Sequence, residues 1–224
     1  TLGREGSDYS AAIFASILDA KKLVIWKDVP GLLNADPRYF SNPIKIESLS
    51  FQEAIELAYY GASVIHPKTL QPLKSKNIPL EIRSFIKPEV KGTWIAENEA
   101  TLPETSFYIL KKNQTLLSIS ALDLDFIVEN HLAQIFSILA KYNARVNLIQ
   151  NSAVSCSLAV DLDSLQAEFL IEELSKTYRI KYNTGLELLT IRHFSEGDEQ
   201  EILKGKEVVL SQENRSTKQV LFVG

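Results

Sequence analysis

A short run near the start of the chain carries charges spaced for a small zwitterion. In Thr1-Leu2-Gly3-Arg4-Glu5-Gly6-Ser7-Asp8-Tyr9-Ser10-Ala11-Ala12, two glycines bracket Arg4 and Glu5, and Ser7 and Asp8 precede an apolar run that reaches Leu18. Glycine opens backbone conformations closed to other residues and lets a ligand come close. The start of a helix adds unpaired N–H groups and a partial positive charge, so Gly6 and Ser7 shape a place that suits an anion. Arg4 supplies a planar fork for a carboxylate. Asp8 supplies the opposite charge one helical turn later, as a ligand with both a carboxylate and an ammonium requires. The same residues would also serve an ordinary capped helix after a turn.

The elements that must hold these groups follow in an alternating pattern. Residues 8–20 read as a helix with Phe14, Ile17 and Leu18 on one face. Leu23-Val24-Ile25-Trp26 is a short, wholly apolar strand of the kind buried in a parallel sheet. The turn-rich loop 27–38 leaves its C-terminal end, where open α/β sheets place ligands; Asp28, Asp36 and Arg38 are its polar candidates. Ser50-Phe51-Gln52-Glu53 is a capping box heading a helix that stops at Gly61. His66-Pro67 opens a second helix to about residue 76, with His66 a structural residue at its entry. Residues 78–85 read as another strand, and the cluster of Glu, Asn, Thr and Pro over 96–106 as a linker.

Beyond residue 110 the order becomes strand 116–122, helix 130–142, strands 146–149 and 154–160, helix 165–178 and strand 179–182. That β-α-β-β-α-β order is the ferredoxin-like unit. A shortened companion follows, with strand 186–193, a helical piece near 199–203, and the hairpin 208–211 and 219–223; it can borrow a strand at 107–110.

Composition limits the function classes. The 224 residues suffice for two domains, and 45% hydrophobic with 23% charged residues is ordinary globular protein. A net charge of −4 gives no electrostatic reason for nucleic acid or an anionic membrane as partner. The single cysteine, Cys156, sits in an apolar stretch and reads as a buried, inert thiol. No apolar run is long enough for a membrane span, no signal-peptide pattern opens the chain, and a cytoplasmic protein is expected. No metal site held by side chains is expected. The chain has no Met and opens inside its own motif, where a strand ordinarily precedes the turn; it is expected to be a fragment.

Taken together, Gly3-Arg4-Glu5-Gly6-Ser7-Asp8, Ile25-Trp26-Lys27-Asp28-Val29-Pro30-Gly31, Asp36-Pro37-Arg38 and Tyr60-Gly61-Ala62-Ser63-Val64-Ile65-His66-Pro67 resemble the C-terminal half of the aspartate kinase catalytic domain. The two ferredoxin-like pieces resemble the ACT regulatory domains that follow it. The resemblance implies a partial amino-acid-kinase-like αβα layer over 1–97 and α+β ferredoxin-like ACT domains over 98–224. Within the latter, a complete unit spans about 114–183, and a shortened one combines 106–112 with 184–224.

The implied reaction is transfer of the γ-phosphoryl of ATP, with Mg2+, to the side-chain carboxylate of aspartate in lysine, threonine and methionine synthesis. By resemblance, Arg4 holds an aspartate carboxylate and Asp8 its ammonium, while Gly6 and Ser7 shape the site. The nucleotide falls on Lys27, Asp28, Leu33, Arg38 and Ser63. Lys27, Leu33 and Ser63 depart from the family's frequent Thr, Tyr and Lys. The family's Lys-Phe-Gly-Gly motif does not occur in these 224 residues, so the chain alone is expected to be inactive.

The implied effector site takes in Leu124, Asn130, His131, Leu132, Val146, Asn147, Gln150, Asn151 and Ser152, in a homodimer joined through the ACT domains. Asn147 and Gln150 read alternatively as a solvated strand edge. Lysine is the first expected effector, because Asp123 and Asp125 can meet an ε-ammonium; threonine is the second, because Asn147 and Gln150 offer neutral hydrogen bonds. The alternative reading is a non-catalytic amino-acid-sensing ACT module. Intact charges at Arg4 and Asp8 speak against it. Kinases of the same fold acting on glutamate, carbamate or nucleotides are a third reading, and the resemblance of the second half to an ACT pair speaks against it.

Overall fold

A computed structural model describes residues 6–62, 64–123 and 126–224, excepting the side chain of Ser164. Two compact units emerge. The first takes residues 1–109 with 191–196, the second 110–190 with 197–224.

The first unit is built on a four-stranded sheet in the order β1-β3-β4-β2. Strand β1 (Leu23–Lys27) runs parallel to β3 (Leu80–Ser84), which pairs antiparallel with β4 (Thr93–Ala96); β2 (Ser48–Ser50) closes the sheet parallel to β4. Helices α1 (Gly6–Ile17), α2 (Phe51–Tyr60) and α3 (Pro67–Ser75) pack with it around Leu49, Phe51, Leu57, Leu70, Leu73, Leu80, Ile82 and Ile95. Helix α2 starts at Ser50, whose side chain accepts from the Glu53 N–H. Helix α3 starts at His66, whose Nδ1 accepts from the Lys68 N–H.

Two expectations are corrected in this unit. Phe14, Ile17 and Leu18 point outward, at 65%, 70% and 74% exposure. Helix α1 instead buries the small Ala12 and Ala15 with Asp8, because small side chains let it lie close against α3 and β1. The stretch expected to be a linker is pinned to β2. Leu102 exchanges backbone hydrogen bonds with Glu47 and Ser48, and Ser48 Oγ donates to the Ala100 carbonyl. The hold comes from backbone groups of Ala100 and Leu102, which the polar composition of the stretch does not reveal.

The second unit carries a six-stranded sheet in the order β6-β7-β5-β8-β10-β9. Its elements are β5 (Phe107–Ala121), α4 (Glu129–Lys141), β6 (Arg145–Asn151), β7 (Ser155–Asp161), α5 (Ser164–Ser175), β8 (Tyr178–Arg192), β9 (Val208–Glu213) and β10 (Thr217–Val223). The β-α-β-β-α-β succession stands as expected. Four segments anticipated as separate strands are two: 107–110 joins 116–122 in β5, and 179–182 joins 186–193 in β8. Asn113 at φ 56° and Gly185 at φ 71° absorb within a strand what reads as a turn in sequence. The helical piece near 199–203 is a series of hydrogen-bonded turns, such as Gln200 N–H to Gly197 and Leu203 N–H to Glu199.

Neighbouring residues of a strand face opposite ways, and the core follows that rule. Leu117, Ile119, Leu158 and Val160 pack with α4 and α5 through Ile135, Leu139, Leu170 and Leu174. Leu116 and Ala159 join Leu148, Leu186, Leu188, Leu210 and Leu221 in a second cluster. Cys156 is fully buried, and burial pushes its thiol pKa up.

Candidate functional site

The charged residues at the head of α1 and the end of β1 meet. Asp8, in the first turn of α1 and 8% exposed, accepts from Lys27 Nζ at 2.6 Å. The pair ties a helix N-terminus to the C-terminal end of a strand, the place where an open α/β sheet gathers ligand groups. Gly6 opens the helix and its carbonyl accepts from Ser10 Oγ at 2.8 Å; Ser7 is exposed beside it. Arg4 lies outside the described residues, as does Ser63.

The loop after β1 is held from inside. Thr93 Oγ1 accepts from the Leu32 N–H at 2.8 Å and donates to the Ile46 carbonyl at 2.6 Å, fully buried. Asn34 donates to the Ser106 carbonyl at 3.0 Å and accepts from the Ile44 N–H at 2.7 Å. Leu33 is half-buried in a bridge with Lys45, and Asp28 is exposed. Arg38 is also exposed and grips the Asp36 carboxylate through Nε and Nη2 at 2.6–3.0 Å. Hydrogen bonding from Arg38 holds the Asp36 carboxyl below its usual range. Both candidate nucleotide cations are thus already paired with a carboxylate, Lys27 with Asp8 and Arg38 with Asp36. A phosphate chain must compete for them or take backbone N–H groups.

A second buried pair braces the same unit. Glu53 and Arg192 form two hydrogen bonds at 2.9 and 2.7 Å, and His193 Nε2 stands 3.1 Å from the same carboxylate. Burial alone would raise the Glu53 carboxyl, but the Arg192 guanidinium, helped by His193, outweighs it and holds it below the usual range. Glu53 therefore serves α2 with its backbone N–H while its side chain turns to Arg192, so only half of the expected capping box forms. The signal in the sequence is Arg192 itself, a cation ending the uncharged, mostly apolar run Leu188-Leu189-Thr190-Ile191.

In the second unit the effector candidates fall into two groups. The Ile127 N–H donates to the Ala153 carbonyl at 2.9 Å, which brings the entry of α4 against the turn holding Ser152. Near that entry, Asn130 is exposed, His131 Nδ1 contacts the Phe126 carbonyl at 3.0 Å, and the His131 ring stands edge-on to Tyr178. Leu132 and Val146 are partly buried against the helix-side core. Gln150 and Asn151 are exposed on β6, and Ser152 Oγ pairs with Ser155. Asn147 bonds elsewhere, to Lys111 and Gln114 on β5 at 2.7 Å each. Leu124 and Asp125 lie outside the described residues, and Asp123 is exposed.

Residues 1–84 match the amino acid kinase family. Lysine-sensitive aspartokinase 3 of Escherichia coli K12 is 38% identical over 198 residues, covering 85% of this chain and 44% of that protein. The crystal structure of E. coli aspartokinase III in complex with aspartate and ADP aligns with a TM-score of 0.81 at 33% identity, covering all of this chain and 54% of its own. The chain belongs to the aspartokinase family. The E. coli aspartokinase III complex with lysine and aspartate aligns at a TM-score of 0.74 and 34% identity, over 99% of this chain and 52% of that one. The chain spans roughly a third to a half of the length of the aspartokinases it matches. Within this family the Asp8–Lys27 pair falls in the region matched to the amino acid kinase model, and Asn147 lies beyond it.

Proposed function

We propose that this chain forms the aspartate-binding end of the kinase region and the amino-acid-sensing region of an aspartokinase. The reaction is transfer of the γ-phosphoryl group of ATP to the side-chain carboxylate of aspartate, in the cytoplasm, on the route to lysine, threonine and methionine. The observation that carries this reading is the buried Asp8 carboxylate at the head of α1, beside Lys27 at the end of β1, in a chain whose fold aligns throughout with an aspartokinase bound to aspartate and ADP.

Asp8 receives the substrate ammonium, Arg4 a carboxylate, and Gly6 with Ser7 keeps the backbone close. The nucleotide lies along Lys27, Asp28, Leu33, Arg38 and Ser63. Among the described residues no group of three side chains could hold a metal ion, and Mg2+ typically binds through substrate phosphates with one or two carboxylates; it enters here with the nucleotide. Phosphoryl transfer is mostly positioning and charge neutralisation. These 224 residues lack a Lys-Phe-Gly-Gly motif, so by themselves they bind without turning over.

The division into a kinase segment over 1–97 and a regulatory region over 98–224 belongs to this proposal. So do an amino-acid effector, lysine or threonine, at Asn130 and Asn147 and their neighbours, and a homodimer through 114–183. The sheet edge at β6 supports the last, because an unpaired edge invites another strand.

Calorimetric titration of the chain with aspartate, with and without ADP, tests the substrate assignment. Binding lost in both Arg4→Ala and Asp8→Asn supports it; aspartate binding equal in all three proteins refutes it.

A further inference from the structure

A set of polar side chains in the second unit is joined across four strands. Lys111 on β5 donates from Nζ to Asn147 Oδ1 on β6 at 2.7 Å. Asn147 Nδ2 donates to Gln114 Oε1 at 2.7 Å, and Gln114 is fully buried. Gln219 on β10 reaches the Asn147 carbonyl and Thr190 Oγ1 on β8, each at 3.3 Å. The bulge between Val146 and Leu148 turns Asn147 out of the regular ladder and toward β5. Both ends of the Asn147 carboxamide are therefore taken by groups of this same unit.

The ammonium that takes its oxygen is unusual in its surroundings. Among the described residues no carboxylate lies within ion-pair distance of Lys111 Nζ. Its charged neighbours are Arg145, which repels it, and Asp161, which attracts it more weakly than burial disfavours its charge. An amide oxygen is the acceptor that a neutral site offers to a primary ammonium. Here the primary ammonium is supplied by the chain.

We propose that Lys111 is a built-in occupant of a primary-ammonium subsite at Asn147, filling the position that the side-chain ammonium of a cationic amino acid would take. The proposal rests on the reading of Asn147 as an effector residue and deepens it. With Lys111 in place, the unit disfavours lysine at Asn147 and leaves neutral amino acids such as threonine as its ligands, reversing the order expected from sequence. A tethered group competes at the high effective concentration of an intramolecular partner, and a second cation beside it meets like-charge repulsion. Removing the Lys111 amine empties the position and leaves an acceptor suited to any primary alkylammonium.

The test uses the 224-residue chain and its Lys111→Met and Lys111→Ala variants, titrated calorimetrically with L-lysine and L-threonine and melted with and without n-butylammonium. Lysine should bind at least one variant about tenfold or more tightly than the wild type, and n-butylammonium should raise the melting temperature of a variant but not of the wild type. Equal lysine affinity in wild type and variants overturns the proposal, as does the same butylammonium response in all three. If a variant responds to butylammonium but no amino acid binds any of the proteins, Lys111 stands as the occupant and the effector reading of Asn147 falls. The wild type gives a check that needs no variant. The Asn147 side-chain amide resonances should titrate with the Lys111 amine, near the pH of about 8 to which burial lowers it. Amide resonances that stay fixed through that range overturn the proposal.

Discussion

Replacing Arg192 by alanine tests the brace that holds α2 in the first unit. Glu53 and Arg192 are each 8% exposed and share two hydrogen bonds at 2.9 and 2.7 Å. Removing the guanidinium leaves a buried carboxylate whose nearest remaining side-chain partner is the His193 ring, with Nε2 3.1 Å from Glu53 Oε2. Breaking one side of a buried pair typically costs about 3–5 kcal/mol, whereas replacing both partners by neutral groups of similar volume is often nearly neutral. Arg192→Ala should therefore lose about 3 kcal/mol, and the Glu53→Gln/Arg192→Met double variant clearly less.

Both tryptophans of the chain, Trp26 and Trp94, lie in this unit, so tryptophan fluorescence during urea unfolding reports on it selectively. The sign with pH follows from the depressed Glu53 carboxyl. The stabilisation is fully present above the ordinary value of 4.5 and is lost as the pH falls through the lower folded value. Arg192→Ala within about 0.5 kcal/mol of wild type, or a double variant less stable than the single, would refute this account.

Three further outcomes are expected. Lys111 loses its proton more readily folded, at about 8, than unfolded, near 10.5; stability should therefore rise between those values, by about 1–3 kcal/mol after allowance for solvent screening, and the rise should vanish in Lys111→Met when urea midpoints are compared across pH. On the proposed substrate assignment, in an aspartokinase that contains these residues, Arg4→Ala and Asp8→Asn should each raise the aspartate KM by about 10- to 100-fold, the weight of a charge-assisted hydrogen bond; unchanged steady-state kinetics in both would remove the assignment. A Cβ on Gly92 would stand closer than 3.0 Å to the Ile82 carbonyl oxygen, so Gly92→Ala should cost about 1–3 kcal/mol through forced separation of β3 and β4, read as a lower urea midpoint by tryptophan fluorescence.

Periodicity and capping make most helices and strands legible in the sequence alone. Ser50, His66 and Cys156 do what their types and neighbours imply. Direction and partnership are harder to read. The outward turn of Phe14, Ile17 and Leu18 is decided by close helix packing through Ala12 and Ala15, which periodicity cannot weigh. The continuity of β5 and β8 depends on positive φ at Asn113 and Gly185, residues that read equally as turns. In the candidate site, Asp8 is legible as a charge, but its pairing with Lys27 spans 19 positions and needs the fold. Lys111 carries no signal, because a lysine at a strand's polar stretch ordinarily faces water.

The strand order of the second unit also sets a sequence of events. Strand β8 lies between β5 and β10, and its partner β5 is separated from it along the chain by two helices and two strands. The β9–β10 hairpin closes through Asn214, whose side chain accepts from the Ser216 and Thr217 N–H groups; such hairpins form within about 10 μs. It has no sheet to join until β8 has found β5, a contact that carries the entropy of a long loop closure. Native-state hydrogen exchange should separate these histories. The central amides of β5 and β8 exchange only through global opening, while those of β9 and the outer side of β6 exchange through local fraying. The unit thus gains its last strands quickly and holds them least firmly.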